Sequence, residues 1–177
     1  MYHKMKIAGL ERELKLCPLN EKIDIAAFVM FSDVELTVAA AAALLEKCPD
    51  FDIIITAESK GIPLAYEMAR QSKKSYIVAR KSKKLYMSDV ISIQVKSITT
   101  DAMQTLILDG DKANMMKGKR VLIVDDVIST GESLAALTKL VTSCGGDVVA
   151  NAAVLAEGDA ADRDDIIYLE KLPLFFK

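Results

Sequence analysis

The chain of 177 residues has no tryptophan, one histidine and three cysteines. Aromatics make up only 6% of it, too few for a row of stacking platforms along a single-stranded nucleic acid. With His3 as the only imidazole, chemistry built on a histidine base or a histidine-ligated zinc is excluded. Cys17, Cys48 and Cys144 are odd in number and far apart, so they form neither a disulfide framework nor a CxxC metal pattern; they read as isolated thiols in a reducing compartment. The longest uninterrupted apolar run, Val38 to Leu45, falls far short of the roughly 20 residues of a membrane span. The opening segment MYHKMKIAGLEREL lacks the apolar centre of a secretion signal. The expectation is a cytoplasmic protein with no membrane partner. Neither charge sign dominates: 23 basic against 25 acidic residues leave a net charge of −2, which excludes a globally basic nucleic-acid-binding domain. With 51% hydrophobic residues, a chain of this length can bury one proper core.

No internal repeat or low-complexity linker interrupts the chain; apolar strands alternate with amphipathic helices. Ile7, Leu10 and Leu14 share a helical face and predict a helix over 5–16. Ser32 with Glu35 reads as a capping box opening a helix that ends near Pro49. Strands are expected over 52–56, 75–79, 90–95, 103–108, 121–124 and 148–155. Further helices follow Pro63, to about Gln71, and run over 131–143, ending at Gly145-Gly146. Asp109-Gly110-Asp111 reads as a turn. This alternation implies an α/β fold, a doubly wound and mostly parallel sheet, in which ligands bind beyond the carboxyl ends of the strands.

Residues 121–133, VLIVDDVISTGES, carry the chemistry. Four buried residues deliver Asp125 and Asp126 to the end of a strand, and Ser129-Thr130-Gly131-Glu132-Ser133 opens a helix. Free backbone N–H groups, hydroxyls and the positive end of a helix dipole make a phosphate cradle, with Gly131 permitting close approach. The paired carboxylates can accept hydrogen bonds from a vicinal diol and favour positive charge developing on a ring. The same pattern also suits a strand end with solvated acids and an ordinary hydroxyl-capped helix. Neither GxxxxGK[ST] nor GxGxxG is present.

VLIVDDVISTGES resembles, at all 13 positions, the PRPP-binding signature of the type I phosphoribosyltransferases. The resemblance implies that Asp125 and Asp126 hold the ribose 2′- and 3′-hydroxyls and that Ser129, Thr130, Gly131, Glu132 and Ser133 hold the 5′-phosphate. Thr56-Ala57-Glu58-Ser59-Lys60-Gly61 is similar to the pyrophosphate loop of adenine phosphoribosyltransferases, which assigns Ser59, Lys60 and Gly61 to pyrophosphate. From Arg70 to Lys84 there are seven basic residues and no acid. Among them Arg80, Lys81 and Lys84 match the RKxxK-type segment whose cations neutralise pyrophosphate, partly across a dimer interface, so a homodimer is expected. Lys96 to Ala102 occupies the place of the family's lid, with Asp101 a possible counterpart of the lid's acidic residue.

The same resemblance divides the chain into a core of about 34–155 and a hood of about 1–33 plus 156–177. In the hood, Phe28-Val29-Met30-Phe31-Ser32-Asp33 is similar to the LFRD-type segment of adenine enzymes, with Ser32 in place of the Arg. It marks Met30 and Phe31 as base-binding residues. Glu157 stands where xanthine enzymes have a Lys, and a carboxylate there can accept from an exocyclic amine. Arg163 follows six residues later. The implied reaction displaces pyrophosphate from PRPP by N9 of a purine, adenine first, giving AMP. Mg²⁺ would travel with PRPP rather than in a dedicated protein site. The alternatives are a xanthine or guanine phosphoribosyltransferase and a non-catalytic PRPP-sensing regulator.

Overall fold

The structure is a computed structural model in which residues 1–96 and 103–177 are described; residues 97–102, with the expected lid and Asp101, lie outside the described residues. The strands are β1 (Tyr2–Ile7), β2 (Leu10–Pro18), β3 (Ile23–Ala27), β4 (Ile53–Ala57), β5 (Ser75–Ala79), β6 (Ile91–Lys96), β7 (Met103–Leu108), β8 (Arg120–Ile128), β9 (Asp147–Glu157), β10 (Ile167–Leu172) and β11 (Leu174–Phe176). The helices are α1 (Val34–Lys47), α2 (Ile62–Ser72), α3 (Gly110–Met116) and α4 (Glu132–Ser143).

Five strands form a parallel sheet in the order β10-β9-β8-β4-β5. The apolar runs alternate between its two faces, as the period of two requires. Ile54, Leu122 and Val124 join Leu36, Ala40 and Leu44 of α1 and Leu64, Ala65 and Met68 of α2 on one side. Ile53, Ile55, Val121 and Ile123 join Leu134, Leu137, Leu140 and Val141 of α4 on the other. This is the expected doubly wound α/β core. No helix of the described residues is long and apolar enough to cross a membrane.

The expected helix over 5–16 is instead a β-hairpin, with β1 and β2 paired from Tyr2↔Lys15 to Ile7↔Leu10. Ile7, Leu10 and Leu14 fall at helical spacing only because the turn sits between them; Ala8 and Gly9 both take positive φ there, 48° and 83°. β1, β2, β3 and β11 make a separate four-stranded antiparallel sheet. β10, expected in the hood, is the edge strand of the parallel sheet, so only β11 of the last segment joins the antiparallel one.

The expected cap is displaced by one residue and the reciprocal box is not made. Asp33 caps α1, its Oδ1 accepting from Leu36 N at 3.0 Å, while Ser32 occupies a positive-φ turn. Glu35 turns away from the helix start to meet Arg12 Nη2 at 2.8 Å. The Asp109-Gly110-Asp111 turn signal opens the short α3, which was not foreseen. β8 runs past 121–124 through both acids, pairing Asp125 with Ala153 and Ile128 with Ala156 of β9.

Candidate functional site

β4 and β8 are neighbours in register, Ile53 to Ile55 opposite Val121 to Ile123, so their carboxyl ends emerge together. β4 hands over to the segment 58–61 and β8 to 129–131. Lys60 Nζ lies 3.0 Å from Asp126 Oδ2; the Lys is half exposed while Asp126 is buried. Gly61 lies against Asp125: a Cβ there would sit 2.5 Å from Thr56 Oγ1 and 3.1 Å from Asp125 Oδ1. Two segments far apart in sequence, Lys60 and Asp126 being 66 residues apart, thereby share one mouth. Burial, and then the neighbouring charge of Asp126, push the Asp125 carboxyl well above the usual carboxylate range, to about 7. Lys60 opposes that rise.

Ser129, Thr130, Gly131, Glu132 and Ser133 wrap, with Asp125, a depression of about 50 Å³ at the start of α4. Gly131 is the N-cap, with φ 79°, a left-handed conformation that suits glycine. Glu132 is buried. A larger cleft of about 470 Å³ is lined by Lys4–Lys6 and Glu11–Glu13, and contains none of these groups.

Arg80 directly follows β5 and its Nε pairs with Glu58, the residue just after β4. Its backbone N and O also exchange hydrogen bonds with Ile107, at 2.8 and 2.7 Å. Ser59 follows Glu58 in the same turn. The basic run is split between the two ends of β5. Arg70, Lys73 and Lys74 precede the strand, Arg70 being committed to Glu67 at 2.7 Å. Arg80, Lys81 and Lys84 follow it; Lys81 is exposed, and Lys84 Nζ donates to Ser82 Oγ at 2.9 Å.

Glu157 ends β9 and is half-buried; burial raises its carboxyl while Lys60 draws it back, which brings Lys60, Asp125, Asp126 and Glu157 into one electrostatic cluster. The two other base-site candidates part company. Met30 is 1% exposed and belongs to the core cluster of Phe28 and α1, and it also lines a cleft of about 220 Å³ with Ser32, Thr37 and Tyr66. Phe31 is about half exposed.

Two features carry no local sequence signal. The Glu58–Arg80 pair forms because β4 and β5 are parallel neighbours. Arg163 returns from the 3₁₀ turn Gly158–Asp162 to lie over Gly131, and the contact joins positions 32 apart.

The phosphoribosyl transferase domain family matches residues 32–172. The chain is 30% identical, over 162 residues, to the hypoxanthine/guanine phosphoribosyltransferase of Methanothermococcus okinawensis, covering 87% of this chain and 85% of that protein. It is 31% identical over 114 residues to the purine biosynthesis transcriptional repressor PurR of Bacillus subtilis, covering 64% of this chain and 39% of the repressor. The adenine phosphoribosyltransferase of Thermoanaerobacter pseudethanolicus superposes with a TM-score of 0.73 at 25% identity, over 90% of this chain and 95% of that one. The converging loops of β4 and β8 thus belong to a shared architecture, and the chain is a member of the phosphoribosyltransferase family, in its type I purine branch.

Proposed function

We propose that the chain transfers the 5-phosphoribosyl group of PRPP to N9 of adenine, releasing pyrophosphate and AMP. The observation that carries the reading is the meeting of two loops at one strand end. The paired acids of β8 stand beside Lys60, with the hydroxyl-rich turn 129–133 immediately downstream. Asp125 and Asp126 bind the ribose hydroxyls and stabilise cationic character at C1′. Residues 129–133 take the 5′-phosphate on backbone N–H groups and the dipole of α4. Ser59, Lys60 and Gly61, with Arg80, Lys81 and Lys84, receive the departing pyrophosphate, where fixed positive charge lowers the cost of bond breaking. Most of the rate enhancement is positioning and charge compensation.

The donor set fits Mg²⁺. Asp125 and Asp126 bring hard carboxylate oxygens to the mouth shared with Lys60 and Gly61, where they would hold such a cation together with oxygens of the substrate. When bound, Mg²⁺ neutralises charge on the leaving group.

For the base, Glu157 supports adenine. Its half-buried carboxylate beside Lys60 can accept from an exocyclic amine and repels a carbonyl edge. Incubation with Mg-PRPP and single purines, followed by assay of pyrophosphate, tests the reading. Adenine turnover is expected. Turnover of xanthine, guanine or hypoxanthine alone would overturn the base assignment. PRPP binding with no turnover of any base would make the chain a sensor of the kind its likeness to the repressor allows.

A further inference from the structure

The turn 129–133 has no Lys or Arg of its own, and Asp125 and Glu132 line the same depression. A helix dipole supplies only about half a positive charge, whereas a phosphate monoester carries up to two negative ones. The local sequence therefore leaves the cradle short of cation.

We propose that Arg163 is the cation of the 5′-phosphate site. The proposal rests on reading 129–133 as that site. Arg163 is the one basic residue in the otherwise acidic segment 157–165. Asp165 grips one edge of its guanidinium, Oδ1 accepting from Nε at 2.8 Å and Oδ2 from Nη2 at 2.7 Å. That bidentate grip fixes the plane of the group and turns the remaining nitrogen, Nη1, away from Asp165. Nη1 lies over the phosphate turn, 2.3 Å from where a Cβ on Gly131 would stand, and makes no hydrogen bond among the described residues. Glycine at 131 thus serves the cation as well as the turn, since any side chain would occupy the space Nη1 uses. The pair is neutral in sum but not in what the site feels. Asp165 is about half exposed and its charge is screened by solvent, while Nη1 lies against Gly131 of the turn. A phosphate held by the backbone N–H groups of 129–133 receives a charge-assisted hydrogen bond from Nη1 on the opposite side.

The experiment titrates ribose 5-phosphate and, separately, pyrophosphate calorimetrically into the wild type and three variants. Arg163→Gln is expected to weaken ribose 5-phosphate about 10- to 100-fold, the worth of one hydrogen bond to a charged group. Pyrophosphate affinity should stay within about twofold, by the same arithmetic applied to a contact that is not made. Arg163→Lys keeps the charge without the fork and is expected to fall between; it also carries the test if the Gln variant does not fold. Asp165→Asn loosens the grip and is expected to weaken ribose 5-phosphate less than Arg163→Gln. Unchanged ribose 5-phosphate binding in Arg163→Gln, or a loss that falls on pyrophosphate instead, overturns the assignment while leaving the functional reading in place. A wild type that binds neither ribose 5-phosphate nor PRPP overturns both.

Discussion

Gly61 is wedged between Thr56 of β4 and Asp125 of β8, and a side chain added there has an effect of calculable size. In Gly61→Ala the new methyl would stand 2.5 Å from Thr56 Oγ1, 3.1 Å from Asp125 Oδ1 and 3.3 Å from Asp125 Cα. Thr56 is fully buried in β4 and Asp125 Cα is strand backbone, so neither neighbour is a loose side-chain end that swings aside. Relief has to come from moving the start of α2, with residue 61, away from the ends of β4 and β8. Overpacking of this kind costs about 1–3 kcal/mol, which for a chain of this length lowers Tm by roughly 3–9 °C. The displacement also shifts Lys60 relative to Asp126, and a shift approaching 1 Å in such a constellation costs on the order of 100-fold in rate. The assay pairs thermal unfolding with PRPP kinetics, using Gly118→Ala as the comparison. At Gly118 a Cβ meets nothing within 4 Å, and only the φ of +67° is strained. That variant should lose about 1–2 kcal/mol of stability yet keep its kinetics. A Gly61→Ala protein with wild-type Tm and wild-type PRPP use would refute the packing argument.

Asp125 holds its proton more tightly folded than unfolded, where its pKa is about 3.9. Its contribution to stability is therefore fully present below about pH 4 and lost as pH rises through about 7. Asp125→Asn should gain in Tm relative to wild type across that window, and parallel Tm–pH curves would contradict this. Replacing Asp125 and Asp126 together by Asn should abolish PRPP use while the far-ultraviolet circular dichroism stays native; retained activity would refute the site. Asp33→Ala removes the α1 cap and the partner of Arg12, whose Nε lies 2.7 Å from Oδ2, and should cost about 1–3 kcal/mol in denaturant unfolding.

What could be read from the sequence was whatever depends on near neighbours. Val121 to Val124 is an unbroken apolar run because β8 is covered on both faces by α1, α2 and α4, and that run locates the acids and the turn after it. Pro63 and Gly131 fixed helix starts through their backbone preferences alone. The hairpin of β1 and β2 was misread because its turn residues put Ile7, Leu10 and Leu14 on an accidental helical spacing, and only cross-strand pairing reveals the true period. Met30 shows a different limit. A motif marks a segment without saying how deeply each side chain is buried, and this one is 1% exposed. Neither the cover of Arg163 on Gly131 nor the Glu58–Arg80 pair has a local signature, since each is made by strands brought side by side.

The antiparallel sheet of β1, β2, β3 and β11 is joined to the rest of the chain at only two covalent crossings, Phe28–Asp33 on the way out and Pro173 on the way back. Neither crossing passes through 58–61 or 121–133. The sheet is clamped to α1 by Arg12, which grips Asp33 and Glu35, and by apolar contacts of Ile7, Leu14 and Ala26. The protein is thus divided like a tool with an interchangeable head. The antiparallel sheet could be replaced by that of a relative by splicing at two points, with the loops 58–61 and 129–133 left on their own strands. Such chimeras would ask how far the choice of base is written in that head, and how far in Glu157 beneath it.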